Sequence, residues 1–399
     1  MFKKSMKNLS YIVLLWALFS ACDLSQVVQE EYENNHTETE DLTENNTDSE
    51  TGNDPTEEVT EGESEEATTD RSLTPSFNVG EEKVIAFYNV ENLFDAKDDP
   101  KTNDSQFLPG GDYGWNSSIY KQKLKNTAKV ISELGGAAGP DVVGLCEIEN
   151  KGVLKDLVKE LNISGRDYKI VHEESKDHRG IDVALIYDAN SFTYEGHQTH
   201  TPTLKWDRGY TTRDILEVKG SFANNEPIYL LVNHWPSRRG GQEKSESKRV
   251  EVAKAAKKAV DAIFAEDKDA NILLMGDFND DPFNKSIAQT LSAKENKNQV
   301  KDKGLFNVTG KLLDKNSTGT LTYQGKWNLF DQLIISEDMV AGQNPLRYVD
   351  NSTTIFNPEY VQVPYGRSKG HPRRGIFRGK YQKEGYSDHF AVFLKVSIH

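Results

Sequence analysis

Seven short apolar runs constrain this chain more than any other feature. They are Val84–Tyr88, Val142–Cys146, Val183–Tyr187, Ile228–Val232, Ile272–Met275, Leu333–Ile335 and Phe390–Leu394. Each is too short for a buried helix and right for a strand. Between them lie stretches with a different rhythm. Tyr120, Leu124, Thr127, Ile131 and Leu134 recur at steps of three and four, as do Val252, Ala256, Ala259 and Ile263. Such spacing predicts surface helices with one buried face. No internal repeat of fixed short period is present. Two packed sheets with outer helices are the arrangement these elements fit, in one domain of about 320 residues.

The polar residues at the ends of the runs follow a pattern. Asn89, Glu147, His234 and Asp277 each follow a run, whereas Asp182, Asp331 and Asp388-His389 each precede one. If the two sets of strands run in opposite directions, all these groups meet at one edge. A mixed or antiparallel sandwich does this; a purely parallel sheet would divide them between two edges.

The residue types indicate the chemistry. Asn89, Glu147, Asp277, Asn279 and Asp388 are hard oxygen donors suited to Mg²⁺, Mn²⁺ or Ca²⁺. His234 and His389, with nearby aspartates, offer charge and proton transfer. No Cys/His grouping for structural zinc is present, and neither is a Gly-x-Ser-x-Gly elbow nor a Gly-rich phosphate loop ending in Lys-Ser/Thr. Oxygen-bound metal with His and Asp suits phosphoryl transfer, where phosphate charge is neutralised and a water is aligned. Taken singly, each group has a structural reading: Gly276-Asp277-Phe278-Asn279 as a strand-end turn, Ser387-Asp388-His389 as a cap, Asp331 as a strand start. It is the set, in this order, that points to a site.

Charge divides the chain. Of 63 acidic and 48 basic residues, segment 23–70 holds 18 acidic residues and no Lys or Arg, and the first 22 residues hold three Lys. Residues 71–399 therefore carry 45 of each sign and are neutral. Residues 23–79 are too polar to offset their ordering entropy and read as an extended acidic tether. An acidic interaction tail is the other reading of that segment. Residues 1–22 read as an export signal: Lys3, Lys4 and Lys7, then an apolar Leu9–Phe19 stretch too short to span a bilayer. Its end, Leu18-Phe19-Ser20-Ala21-Cys22, resembles the lipobox of bacterial lipoproteins. That resemblance implies lipidation of Cys22 and attachment to the cell envelope, at the outer membrane or the periplasmic face. With Cys22 used in this way, Cys146 has no partner for a disulfide, so stability must come from a large core.

Seven motifs in series resemble the endonuclease/exonuclease/phosphatase superfamily, the deoxyribonuclease I-like fold. They are Tyr88-Asn89-Val90-Glu91-Asn92-Leu93-Phe94, Leu145-Cys146-Glu147-Ile148-Glu149, Arg179-Gly180-Ile181-Asp182-Val183-Ala184, Asn233-His234-Trp235, Gly276-Asp277-Phe278-Asn279, Phe330-Asp331-Gln332 and Ser387-Asp388-His389. They span residues 84–395, and the branch they look like is that of secreted bacterial nuclease-like proteins. The resemblance implies a four-layer α/β/β/α sandwich of two mixed, largely antiparallel sheets with outer helices, over residues 80–399. It further implies that Glu147 is the main metal carboxylate, with Asn89 and Asp388 completing that site. Asp277 and Asn279 would touch the phosphate or a second metal, and Asp277 would position the attacking water. His389, oriented by Asp331, would contact the scissile phosphate. His234 would hold negative charge as it develops, and Asp182 is expected to orient His234.

Substrate class stays open at this point, because one fold hosts nucleases, lipid phosphatases and other phosphodiesterases. Residues 366–383 contain seven basic and no acidic residues and lead into Asp388-His389; Arg238 and Arg239 follow His234. Arg238, Arg239, Arg373 and Arg374 are therefore the expected substrate-binding residues. No base-reading or stacking motif is present, so DNA or RNA would be bound without sequence specificity; the enzyme is expected to be a monomer. A phosphatase acting on lipid or small phosphate esters, and a non-catalytic binding module, are the competing readings.

Overall fold

The computed structural model describes residues 80–162, 165–222, 226–312, 319–341 and 344–399. The signal segment, the tether and Cys22 lie outside the described residues. Two seven-stranded sheets make the frame. In the first, strand Glu82–Leu93 pairs in parallel with Val142–Ile148 and antiparallel with Ala391–Ile398. Asp182–Asp188 then runs antiparallel to Val142–Ile148, and Tyr168–His172 antiparallel to it at the edge. In the second, Pro227–His234 and Asn271–Asp277 are parallel, flanked by antiparallel Ile215–Ser221 and Asp331–Ser336. Both sheets are mixed and largely antiparallel, as the order of motifs implies.

The period-two alternation of each strand divides its side chains between two cores. Ile85, Phe87, Val142 and Cys146 face Val218, Leu230, Val232, Leu273, Met275 and Leu333 between the sheets. At Gly144 the sheets come so close that a Cβ there would run into Met275. Their neighbours along the strands, Ala86, Tyr88, Val143 and Leu145, face outward instead. They pack with Leu124, Val130 and Ile131 of helix Ser117–Glu133 and with Leu154 and Leu157 of helix Lys151–Asn162. Leu231, Ile272, Leu274 and Ile334 cover the other outer face with Val252, Ala256, Val260 and Ile263 of helix Gln242–Glu266. The result is four layers, α/β/β/α. Cys146 is a free thiol with no exposed surface in the intersheet core.

These strand directions place the ends of both central pairs at one edge. In the second sheet the register puts His234 beside Asp277 and Asp277 beside Asp331. In the first it puts Asn89 beside Cys146, one residue before Glu147.

Candidate active site

Two irregularities re-aim the first sheet's polar residues. Register shifts interrupt pairing after Asn89 and after Cys146, and Glu91, Asn92 and Glu147 take φ of 52°, 56° and 63°. Left-handed backbone at non-glycine residues costs energy and gathers at functional sites. Here it turns the Glu147 carboxylate across the end of the neighbouring strand. Asn92 N donates to its Oε2 at 2.9 Å and Asn89 Nδ2 to its Oε1 at 3.3 Å. Asn279, in the second sheet's loop, has φ 50° and donates its backbone N–H to Asp277 Oδ1 at 2.9 Å.

The sheets meet at one oxygen, Asp277 Oδ2. Asn89 Nδ2 donates to it at 3.1 Å. His234 Nε2 lies 3.7 Å away and His389 Nε2 3.9 Å away. His234 Nε2 is also 3.9 Å from Glu147 Oε1, and Asp388 Oδ1 is 3.9 Å from His389 Nε2. Ser387 Oγ, donating to Asn89 O at 2.7 Å, ties the Asp388 turn to the first sheet. Asn89, Glu147, His234, Asp277, Asp331, Asp388 and His389 are thus brought together.

Electrostatics separate the two histidines. Burial favours a neutral ring at His389, but the Asp331 and Asp277 carboxylates outweigh it and hold its pKa well above the usual value. His389 Nδ1–H donates to Asp331 Oδ2 at 2.7 Å. His234 goes the other way. Burial, then the Arg213 and Arg179 guanidiniums, push its pKa well below the usual value. Burial also raises the Asp277 carboxyl, with Asp331 and Glu147 adding to the rise and His389 opposing it.

Several expectations are corrected. Asp182 does not hold His234. It accepts from Ser175 N at 2.8 Å and lies 3.4 Å from His172 Nε2, and among the described residues His234 Nδ1 has no hydrogen-bond partner. Asp182 stands in the first sheet facing the edge strand, whereas His234 ends a strand of the second. Arg238 is not free to meet substrate. It is buried, donates to Asn279 O at 3.0 Å and to Asp281 at 3.1 Å, and stacks over Phe330. Arg239, its neighbour, is exposed. Arg373 pairs with Glu384, and Arg374 is exposed.

Sequence reasoning missed three supports. Arg213 donates from Nε to His234 O at 3.1 Å, from Nη2 to Trp235 O at 2.6 Å and from Nη1 to Asp177 at 3.0 Å. Glu91 accepts from Gly375 N and Ile376 N, anchoring the basic hairpin Ile376–Tyr381 beside the site. Lys123, fully buried, donates to Tyr386 O at 2.7 Å on the same side. The alternation along Tyr88-Asn89-Val90-Glu91 was the signal for Glu91; nothing in the sequence marked Arg213.

The donor set fits a divalent cation. Glu147 and Asp388 keep some exposure and offer carboxylate oxygens; Asn89 turns its Nδ2 toward Glu147 and Asp277 while its Oδ1 accepts from Glu91 N at 3.0 Å; and the Asp277 carboxyl is raised by burial first and by its carboxylate neighbours after that. Asp277, Asp331 and His389 also lie close enough to share an ion, although Asp331 already engages His389.

A carboxylate-lined site with two histidines whose pKa values are pushed in opposite directions, at the end of a four-layer sandwich, suits phosphoester hydrolysis. The sequence profile of the Endonuclease/Exonuclease/phosphatase family matches residues 84–398, and the chain belongs to that family, whose members are hydrolases that use divalent metals. A search of curated proteins finds no match. Among solved structures, the chain is similar to truncated TDP2 of Caenorhabditis elegans, at 17% identity and a TM-score of 0.48, covering 79% of this chain and 97% of that one. It is similar to an endonuclease/exonuclease/phosphatase family protein of Bacteroides thetaiotaomicron, at 16% identity and a TM-score of 0.49, covering 80% and 99%. A mannosyl-6-phosphatase of the same bacterium is 15% identical with a TM-score of 0.46, covering 79% and 100%.

Proposed function

We propose that this chain is a divalent-metal-dependent phosphodiesterase acting by in-line water attack, as an extracytoplasmic nuclease held at the cell envelope through lipidated Cys22. The observation that carries the reading is the convergence of Asn89, His234 and His389 on Asp277 Oδ2, with Glu147 beside them. Glu147 and Asp388 would hold Mg²⁺ or Mn²⁺, with Asn89 positioning Glu147 through its Nδ2–H, and the ion would supply charge neutralisation at the phosphate. Asp277, held by Asn89 and the Asn279 N–H, orients the water and takes its proton. Protonated His389 grips a non-bridging oxygen. Neutral His234 donates its Nε2–H to the oxygen that gains charge in the transition state.

Plasmid DNA, a phospholipid panel and phosphomonoesters, assayed side by side, test the substrate class. We expect DNA cleavage that stops with chelator and returns with Mg²⁺ or Mn²⁺. Glu147→Gln should raise the metal concentration needed and lower the activity together. Full activity in excess chelator would overturn the mechanism. Cleavage of lipid or small esters alone would replace the nuclease with a phosphatase, and no hydrolysis in the panel would leave a binding module.

A further inference from the structure

Beside His234 the surface opens into a cleft of about 610 Å³. Its wall includes Arg213, which donates to His234 O at 3.1 Å, and Pro236 and Ser237, which follow His234-Trp235, so it lies next to the strand end that carries His234. Five cations line it: Arg179, Arg213, Arg239, Lys244 and Lys248, against the carboxylates of Asp177 and Asp207. Asp177 is already engaged, 3.0 Å from Arg213 and 3.4 Å from Arg179. Arg239, Lys244 and Lys248 make no ion pair among the described residues; Lys248 Nζ sits 4.1 Å from the centre of the Tyr210 ring.

The placement of the two lysines runs against what the helix itself favours. Lys244 and Lys248 stand four residues apart, so they share a face of helix Gln242–Glu266 and repel each other. Lys244 also lies in the first turn, where the helix dipole disfavours a cation. Gly241, which opens the helix with φ 111°, provides no side-chain cap. An anion seated between the lysines would reverse both costs. A cleft with one excess sign also concentrates the field on such a ligand.

We propose that this cleft is a subsite for a second phosphate group of the substrate, gripped by Arg239, Lys244 and Lys248 while the scissile phosphate lies at His234 and His389. The proposal rests on the phosphoester hydrolase reading above. It makes the preferred substrate one that carries at least two phosphates. The second phosphate belongs either to a polynucleotide, next to the cleaved linkage, or to a small bisphosphate ester.

The test uses the full chain and Lys244→Ser/Lys248→Ser, with Lys257→Ser/Lys258→Ser on the same helix, outside the cleft, as a charge control. Calorimetric titration with inorganic pyrophosphate in excess chelator reads the subsite without turnover. The cleft variant should lose affinity about tenfold or more, as expected for lost charge-assisted contacts, and the control should not. Absence of pyrophosphate binding by the wild-type chain, or equal affinity in the cleft variant, overturns the proposal. In Mg²⁺, the Michaelis constant should rise about as much for a thymidine trinucleotide or for fructose 1,6-bisphosphate. Whichever of the two responds identifies the source of the second phosphate. Hydrolysis of bis(p-nitrophenyl) phosphate, which has one phosphate, should stay unchanged, and an equal loss there would make the lysines supports of the active site. If no ester is hydrolysed by the wild-type chain, the proposed function fails while the pyrophosphate titration still decides the subsite.

Discussion

His389 and His234 approach the same carboxylate oxygen at nearly equal distance, 3.9 and 3.7 Å, yet their surroundings are inverted. His389 leans on a buried aspartate and stands among carboxylates. His234 has guanidiniums near it and, among the described residues, no hydrogen-bond partner on Nδ1. Position alone would make them a symmetric pair. Environment favours the cation at His389 and the neutral ring at His234, and this division of labour suits a phosphate whose charge shifts during reaction.

The strongest way to break the comparison is to remove each ring. His389→Ala should lower turnover by about 10³ and His234→Ala by about 10², because a lost cation leaves more transition-state charge uncompensated than a lost neutral donor. Steady-state rates on one substrate decide it; equal losses would mean the protonation states do not matter. A smaller effect comes from the support behind His389. Asp331→Asn should lower turnover by roughly 10-fold to 10²-fold. The sign of its pH effect is fixed: a carboxylate that raises the ring's pKa is gone, so the protonated form is lost at lower pH. The alkaline limb of the rate profile, taken at the same metal concentration as wild type, should move down. An unmoved limb would separate Asp331 from that ionisation. The smallest effect is expected at Arg179→Gln. Taking away a cation lets His234 protonate more readily, so the acid limb should move up by a fraction of a pH unit, with turnover at neutral pH falling about threefold or less. Movement in the opposite direction would exclude Arg179 from the field acting on His234.

How far these features were legible depends on where physical information sits along the chain. The seven apolar runs all fall in strands, apart from Phe390, which directly precedes Ala391–Ile398. Central strands are buried on both faces, and burial is written as hydrophobicity. Edge strand Thr193–His200 was invisible, because nearly every side chain on it is exposed and polar. The convergence of strand-end residues followed from direction alone, since a run with its polar residue first must oppose one with it last. Contacts across strands did not follow. Arg238 and Arg239 are adjacent and identical in type, and only the fold decides that one is sealed beneath Phe330 and the other faces the cleft. Arg213 lies outside every motif and reaches His234 through backbone oxygens, which no residue type advertises. Asp182 was misassigned because a position at the right edge does not say which neighbour the side chain meets.

The buried thiol of Cys146 has a practical use. Burial first, then the Asp277 and Glu147 carboxylates, push its ionisation far from neutrality, and only a thiolate reacts readily with alkylating reagents. Cys146 sits where the two sheets interlock, one residue before the carboxylate that reaches the reactive edge. A reagent therefore gains access only when the sandwich parts. The rate of its labelling is an internal clock for that opening, and the same clock, read with and without Mg²⁺ or pyrophosphate, reports which ligands fasten the two halves together.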